Sequence, residues 1–168
     1  MPTKRKAVKP KTQVVLALDV SSSTTGWAVV RSGRWRLSKT SCGQIKTPKL
    51  PMGAKLVWLR DALEQLIKKI KPTQIAVENI FRGKSIKTLI LLARFNGVVI
   101  ELSRRLLGKE PMLAQAISVR KYLQCGTKKE QAFSFICSKY HLDWRFDKND
   151  ITDAICLGLW ACKNKDLI

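Results

Sequence analysis

Val14-Val-Leu-Ala-Leu-Asp-Val-Ser-Ser-Ser-Thr-Thr-Gly-Trp-Ala-Val-Val30 is the stretch that decides the architecture. Its unbroken apolar run Val14–Leu18 reads as a buried strand, and the run ends on an acid, Asp19. Ser21–Gly26 is a polar turn, and Trp27–Val30 is a second strand. Ser32-Gly33 then turns the chain into a third strand around Trp35-Arg-Leu37, which makes an antiparallel meander. Downstream, Leu56, Leu59, Leu63, Leu66, Ile67 and Ile70 recur at helical spacing, so a helix is predicted over 54–70, stopped by Pro72. A short apolar strand over 74–80 follows. The next segment is a long helix over 85–107, with Leu89, Leu92, Ala93, Val99, Leu102 and Leu106 expected on its inner face. Met112–Ala114 reads as another strand, and helices are expected near 117–123, 128–140 and 149–163. Three early strands followed by alternating helix and strand give an α/β fold, a mixed sheet flanked by helices.

Residues 13–168 are long enough for a single domain with a sizeable core, and no internal repeat or second domain is visible. Residues 1–12 (MPTKRKAVKPKT) carry five cations and two prolines with almost nothing to bury, and read as a flexible basic arm. A nuclear-import signal is the competing reading of that arm. The whole chain has 32 Lys and Arg against 12 Asp and Glu, a formal charge of +20, which implies an anionic partner such as nucleic acid. Cys42, Cys125, Cys137, Cys156 and Cys162 are odd in number and form no CxxC pair, so reduced thiols fit better than disulfides or zinc. The basic N-terminus lacks the apolar core of a leader, and Leu89–Leu92 is soon interrupted by Arg94 and Asn96. A soluble, intracellular (cytoplasmic, DNA-associated) protein without membrane contact is therefore expected.

Four acids stand where an acid contributes little to solubility. Asp19 and Glu78 end apolar strands, and Asp150 and Asp153 open the apolar run Ala154–Ala161. Two-metal phosphoryl transfer needs several carboxylates converging on one point, with ions about 4 Å apart. Mg²⁺ or Mn²⁺ takes hard oxygen ligands and keeps several waters, so three or four carboxylates suffice. Asp19 and Glu78 would project from one sheet edge if their strands are neighbours. Asp150 and Asp153, three apart on a helix, share a face. Each acid also has a local explanation: Asp19 as a turn-former, Glu78 as an exposed strand end, and Asp150 with Asp153 as an approximate capping box. Basic residues flank the four. Arg82, Lys84 and Lys87 follow Glu78, while Arg120, Lys121, Lys128 and Lys129 precede the last helix, positions suited to backbone phosphates. No base accompanies Ser21–Ser23, and His141 sits at an expected helix end, so neither is assigned catalysis.

The strings Leu18-Asp-Val-Ser-Ser-Ser-Thr-Thr-Gly26, Ala76-Val-Glu-Asn-Ile-Phe81 and Asp150-Ile-Thr-Asp-Ala154 resemble the RuvC family of Holliday-junction resolvases, within the RNase H-like nuclease superfamily. The resemblance runs from about residue 14 to 162 and extends to the long helix with Gly97 and to Lys128-Lys-Glu-Gln131. It implies an RNase H-like sheet and an endonuclease that cuts four-way DNA junctions by paired symmetric nicks, with two Mg²⁺ or Mn²⁺ ions and no small-molecule cofactor. By the resemblance, Asp19, Glu78, Asp150 and Asp153 fall on the metal-binding carboxylates. Phe81 falls on a base-stacking aromatic, Lys129 on a basic residue near the scissile phosphate, and Arg120 or Lys121 on another. Val20-Ser21 departs from the Pro-Gly of many members and the basic arm has no counterpart, as in a phage-type or divergent member. Two equivalent cuts per junction imply a two-fold homodimer, with helix 85–107 as its interface. Alternatives are a related nuclease acting on flaps, forks or RNA, and a non-catalytic DNA-binding protein on the same fold. An actin-like ATPase would need a second phosphate motif and about twice the length.

Overall fold

Period-two alternation along the first strand sorts the protein into two layers. Val14, Leu16, Leu18 and Val20 pack to one side of the sheet, and Val15 and Ala17 to the other. The computed structural model describes residues 12–33, 41–80, 85–140 and 149–164. In chain order the elements are β1 (Val14–Val20), β2 (Thr24–Arg31), β3 (Cys42–Lys46), α1 (Met52–Ile70), β4 (Gln74–Glu78), α2 (Ile86–Leu107), β5 (Met112–Ala114), α3 (Ala116–Leu123), α4 (Lys129–Tyr140) and α5 (Asn149–Lys163). The expected strand around Trp35–Leu37 and all but the last residue of the 1–12 arm lie outside the described residues. The third strand described is Cys42–Lys46.

The five strands run in the order β3-β2-β1-β4-β5. β1 pairs antiparallel with β2 and β2 with β3, whereas β4 joins β1, and β5 joins β4, in parallel. The mixed α/β sheet flanked by helices is thus as the sequence implies. On one face, Leu16, Leu18, Ile75 and Val77 meet Leu59, Leu63 and Ile67 of α1 and Phe95, Val99 and Leu102 of α2. Burying each such leucine is worth about 1.5–3 kcal/mol. On the other face, the sheet offers small side chains, Ala17, Ala28 and Ala76, to α5, whose Ile151, Ala154, Ile155, Leu157 and Ala161 are buried. Gly158 completes this close seat, since a Cβ there would come within 2.5 Å of Val30 Cγ2. α3 and α4 cover the outer side of α5.

Helix ends follow local chemistry. The Ser85 hydroxyl accepts from the Thr88 N–H to open α2, and Gly108 in the left-handed region closes it. Lys71, also left-handed, closes α1 just before Pro72. The inner face of α2 differs from expectation in one respect. Ala93 is exposed, and the buried positions are Phe95, Asn96, Val99, Leu102 and Ser103. The stripe that reaches the sheet starts at Phe95, and Ala93, two residues earlier, is turned by about 200° from it. No helix among the described residues is long and apolar enough to cross a membrane.

Candidate active site

The alternation that builds the core also builds the site. Val15 and Ala17 face α5, so the next residue in that row, Asp19, faces it too. On β4 the same row is Gln74, Ala76 and Glu78. Parallel register matches Leu18 with Val77, which leaves Asp19 and Glu78 as neighbours one step beyond the paired residues. From α5, Asp153 comes down between them. One carboxylate oxygen from each of Asp19, Glu78 and Asp153 lies within 4.8 Å of the other two. Three of the four acids read from the sequence therefore converge.

Asp150 takes a different place. It lies in the first turn of α5, and its Oδ2 is 3.4 Å from Gln44 Nε2 on β3. Its main chain rests against Gly26, where a side chain would collide with the Asp150 carbonyl oxygen. Asp150 and Asp153 share a helix face, but three residues also advance about 4.5 Å along the axis. That rise moves Asp150 from the β1–β4 seam, where Asp153 sits, to the β2–β3 side.

Cations complete the arrangement. Arg120, on α3, is almost wholly buried, and its Nε and Nη2 lie 3.3 and 2.8 Å from Asp153 Oδ1 while Nη1 donates to Thr127 O at 3.0 Å. Lys121, the next residue, is exposed. Of the two cations that spacing leaves open, Arg120 reaches the carboxylates. Lys129, the first residue of α4, lies with Nζ 3.1 Å from Asp153 Oδ2. This is an ion-pair approach only: the oxygen is buried without an aligned hydrogen-bond donor. Gln131 Oε1 accepts from the main-chain N–H groups of Thr127 and Lys128, which fixes the start of α4 and hence Lys129. Lys128 and Lys87 are exposed. Phe81, Arg82, Lys84 and His141 lie outside the described residues.

The electrostatics match a group of acids assembled for a cation. Burial first, and then the charge of Glu78, hold the Asp19 carboxyl well above the usual carboxylate range. Burial opposes charge on Arg120, but pairing with Asp153 outweighs it and raises its pKa. Lys129 is likewise raised, burial being outweighed by Asp153, Asp19 and Glu78. Converging oxygens, one of them buried and approached only by the Lys129 ammonium, fit a hard divalent cation such as Mg²⁺ or Mn²⁺. The cysteines are all free. Four are buried, and the thiols of Cys42, pushed up to about 11, Cys125, Cys137 and Cys156 are raised by burial, as expected of inert reduced thiols.

Two contacts have no counterpart in the sequence reading. Gln44 carries no recognisable signal. Asn96 had one, a polar residue inside the apolar stripe of α2, and its Nδ2 donates to the main-chain oxygen of Glu78 at 3.1 Å.

The chain is similar to known proteins over most of its length. A crossover junction endodeoxyribonuclease RuvC from Chlorobaculum parvum is 29% identical over 153 residues, covering 89% of this chain and 80% of the relative. Another, from Syntrophomonas wolfei, is 36% identical over 87 residues, which span 51% of each chain. Among solved structures, Thermus thermophilus RuvC superposes with a TM-score of 0.75 at 18% identity, covering 91% of this chain and 96% of that one. The likeness in fold is to an RNase H-like protein. The family model described as "Crossover junction endodeoxyribonuclease RuvC" matches residues 15–160. The chain belongs to the RuvC family of crossover junction endodeoxyribonucleases.

Proposed function

We propose that Asp19, Glu78 and Asp153, joined by Asp150, hold two divalent cations, Mg²⁺ or Mn²⁺, with which the protein hydrolyses phosphodiesters at four-way DNA junctions in paired symmetric nicks. The observation that carries this reading is the meeting of three carboxylate oxygens within 4.8 Å at the end of two parallel strands. When bound, such ions lower the pKa of a water and neutralise charge on the leaving oxygen. The protein's own groups do the rest. Arg120 engages Oδ1 of Asp153, which leaves Oδ2 for a cation. Lys129, about half exposed, is near enough to stabilise charge growing on the phosphate. Lys87, Lys121 and Lys128 bind backbone phosphates, together with Arg82 and Lys84, and Phe81 stacks on bases. The structure of Thermus thermophilus RuvC has been solved in complex with a Holliday junction substrate.

A homodimer through α2 is part of the proposal. Ile86, Ile90 and Ile100 are exposed on its outer face, and the space where a Gly97 side chain would stand is open. A second copy covering this stripe would bury it and set two sites for two cuts.

Incubating the protein with a synthetic four-way junction and Mg²⁺ tests the reading. Wild type is expected to give symmetric, ligatable nicks. Asp153→Asn is expected to lose on the order of 10³-fold in rate, because several kcal/mol of charge stabilisation depend on the ions. Equal cutting by both, or equal cutting of three-way and linear DNA, would overturn it.

A further inference from the structure

Asn96 is a buried amide on a helix face otherwise filled by Phe95, Val99 and Leu102. A buried amide without a partner is costly, so its hydrogen bond is the reason the position tolerates it. The bond goes to a particular peptide group. Glu78 is the last residue of β4, and the Glu78–Asn79 peptide is held at both ends. Its carbonyl oxygen accepts from Asn96 Nδ2 at 3.1 Å, and its N–H donates to Ala114 O of β5 at 2.9 Å. Orienting this peptide fixes the backbone from which the Glu78 carboxylate projects. Asn96 also lines a hollow of about 50 Å³ with Asp19, Glu78, Asn79, Ile80 and Leu92, on the side of the cluster away from Arg120.

We infer that Asn96 is a positioning residue for metal capture: by clamping the Glu78–Asn79 peptide from α2, it holds the Glu78 carboxylate in reach of Asp19 and Asp153. This rests on the metal-binding reading of the three carboxylates. Its consequence is that affinity for the ions depends on where α2 sits. Removing an outer partner of a metal ligand typically lowers affinity about 10- to 100-fold. Since Asn96 acts on a main-chain oxygen, a loss of about tenfold is expected.

Ser103 provides the control. It is buried on the same helix and donates to Lys109 O at 2.9 Å, away from the carboxylates. Mn²⁺ binding is measured by electron paramagnetic resonance for wild type, Asn96→Leu, Ser103→Ala and Asp153→Asn, with unfolding curves and junction binding in EDTA alongside. The proposal expects Asn96→Leu to lose about tenfold in Mn²⁺ affinity with junction binding in EDTA unchanged, and Ser103→Ala to bind Mn²⁺ as wild type does. If leucine prevents folding, Asn96→Ala removes the amide without added bulk and carries the same expectation. Wild-type Mn²⁺ affinity in the folded Asn96 variant, or an equal loss in Ser103→Ala, overturns the proposal. Wild type binding no better than Asp153→Asn overturns the carboxylate reading itself, and the proposal with it.

Discussion

Arg120 and Asp153 form a buried ion pair beneath the site, with two guanidinium nitrogens on one carboxylate oxygen and both side chains only 5–6% exposed. A pair this deep costs desolvation on both sides, so removing one partner leaves an uncompensated charge. Arg120→Met is expected to destabilise the protein by about 3–5 kcal/mol, and Arg120→Met with Asp153→Asn by clearly less. Urea unfolding of the two single variants and the double variant checks this. A double variant as unstable as the sum of the singles would contradict the pairing.

Asp19 sets a pH dependence. Its folded-state pKa is raised, chiefly by burial, so its ionised form works against folding in the absence of metal. That cost is fully present above the raised pKa and is relieved as pH falls through it towards the unfolded value. In EDTA, Asp19→Asn should therefore be more stable than wild type at neutral and alkaline pH, with the gap closing on acidification. A divalent cation should reverse the order at neutral pH, and the metal-induced rise in melting temperature of wild type should grow with pH. Melting curves across pH, with and without Mg²⁺, give the answer.

The exposed and half-exposed lysines should separate by function. Lys121→Ala and Lys128→Ala should each lower the slope of log affinity against log salt by about 0.9 while sparing turnover at saturating DNA. Lys129→Ala should instead lower single-turnover cleavage by about 10²-fold, as for loss of one charge-stabilising group. Identical effects at all three positions would remove the distinction between phosphate binding and chemistry.

Gly158→Ala is expected to cost about 1–3 kcal/mol through overpacking, because the new methyl meets Val30 Cγ2 at 2.5 Å and Ala17 Cβ at 3.3 Å. Cleavage should fall more steeply than stability, since the displaced helix carries Asp153. Thermal unfolding and single-turnover cleavage measured on the same preparation test the pair of effects.

Much of this was legible in the chain. Val14–Leu18 and Ile75–Val77 are continuous apolar runs that end on acids, and a strand's two-residue period then aims both acids at one helix. Arg120 and Lys121 were indistinguishable because adjacent helical residues differ only in facing, which the packing of α3 on α5 decides. Ala93 looked internal because small apolar residues suit either face of a helix. Asn96 does not read as a core position, because a polar residue suits solvent until its acceptor, a carbonyl eighteen residues earlier in the chain, is known. Asp150 parts from Asp153 because a shared helix face does not cancel the axial rise between them, which residue spacing alone does not relate to the sheet.

The four acids belong to two rigid pieces: Asp19 and Glu78 to the sheet, Asp150 and Asp153 to one helix. Between the pieces lies a thin spacer of Ala17, Ala28, Ala76 and Gly158. The pieces face each other like the jaws of a calliper whose opening is set by side chains no larger than a methyl group. If the acids hold a cation as proposed, exchanging these small side chains should shift the balance between Mg²⁺ and the larger Ca²⁺ without altering any ligand.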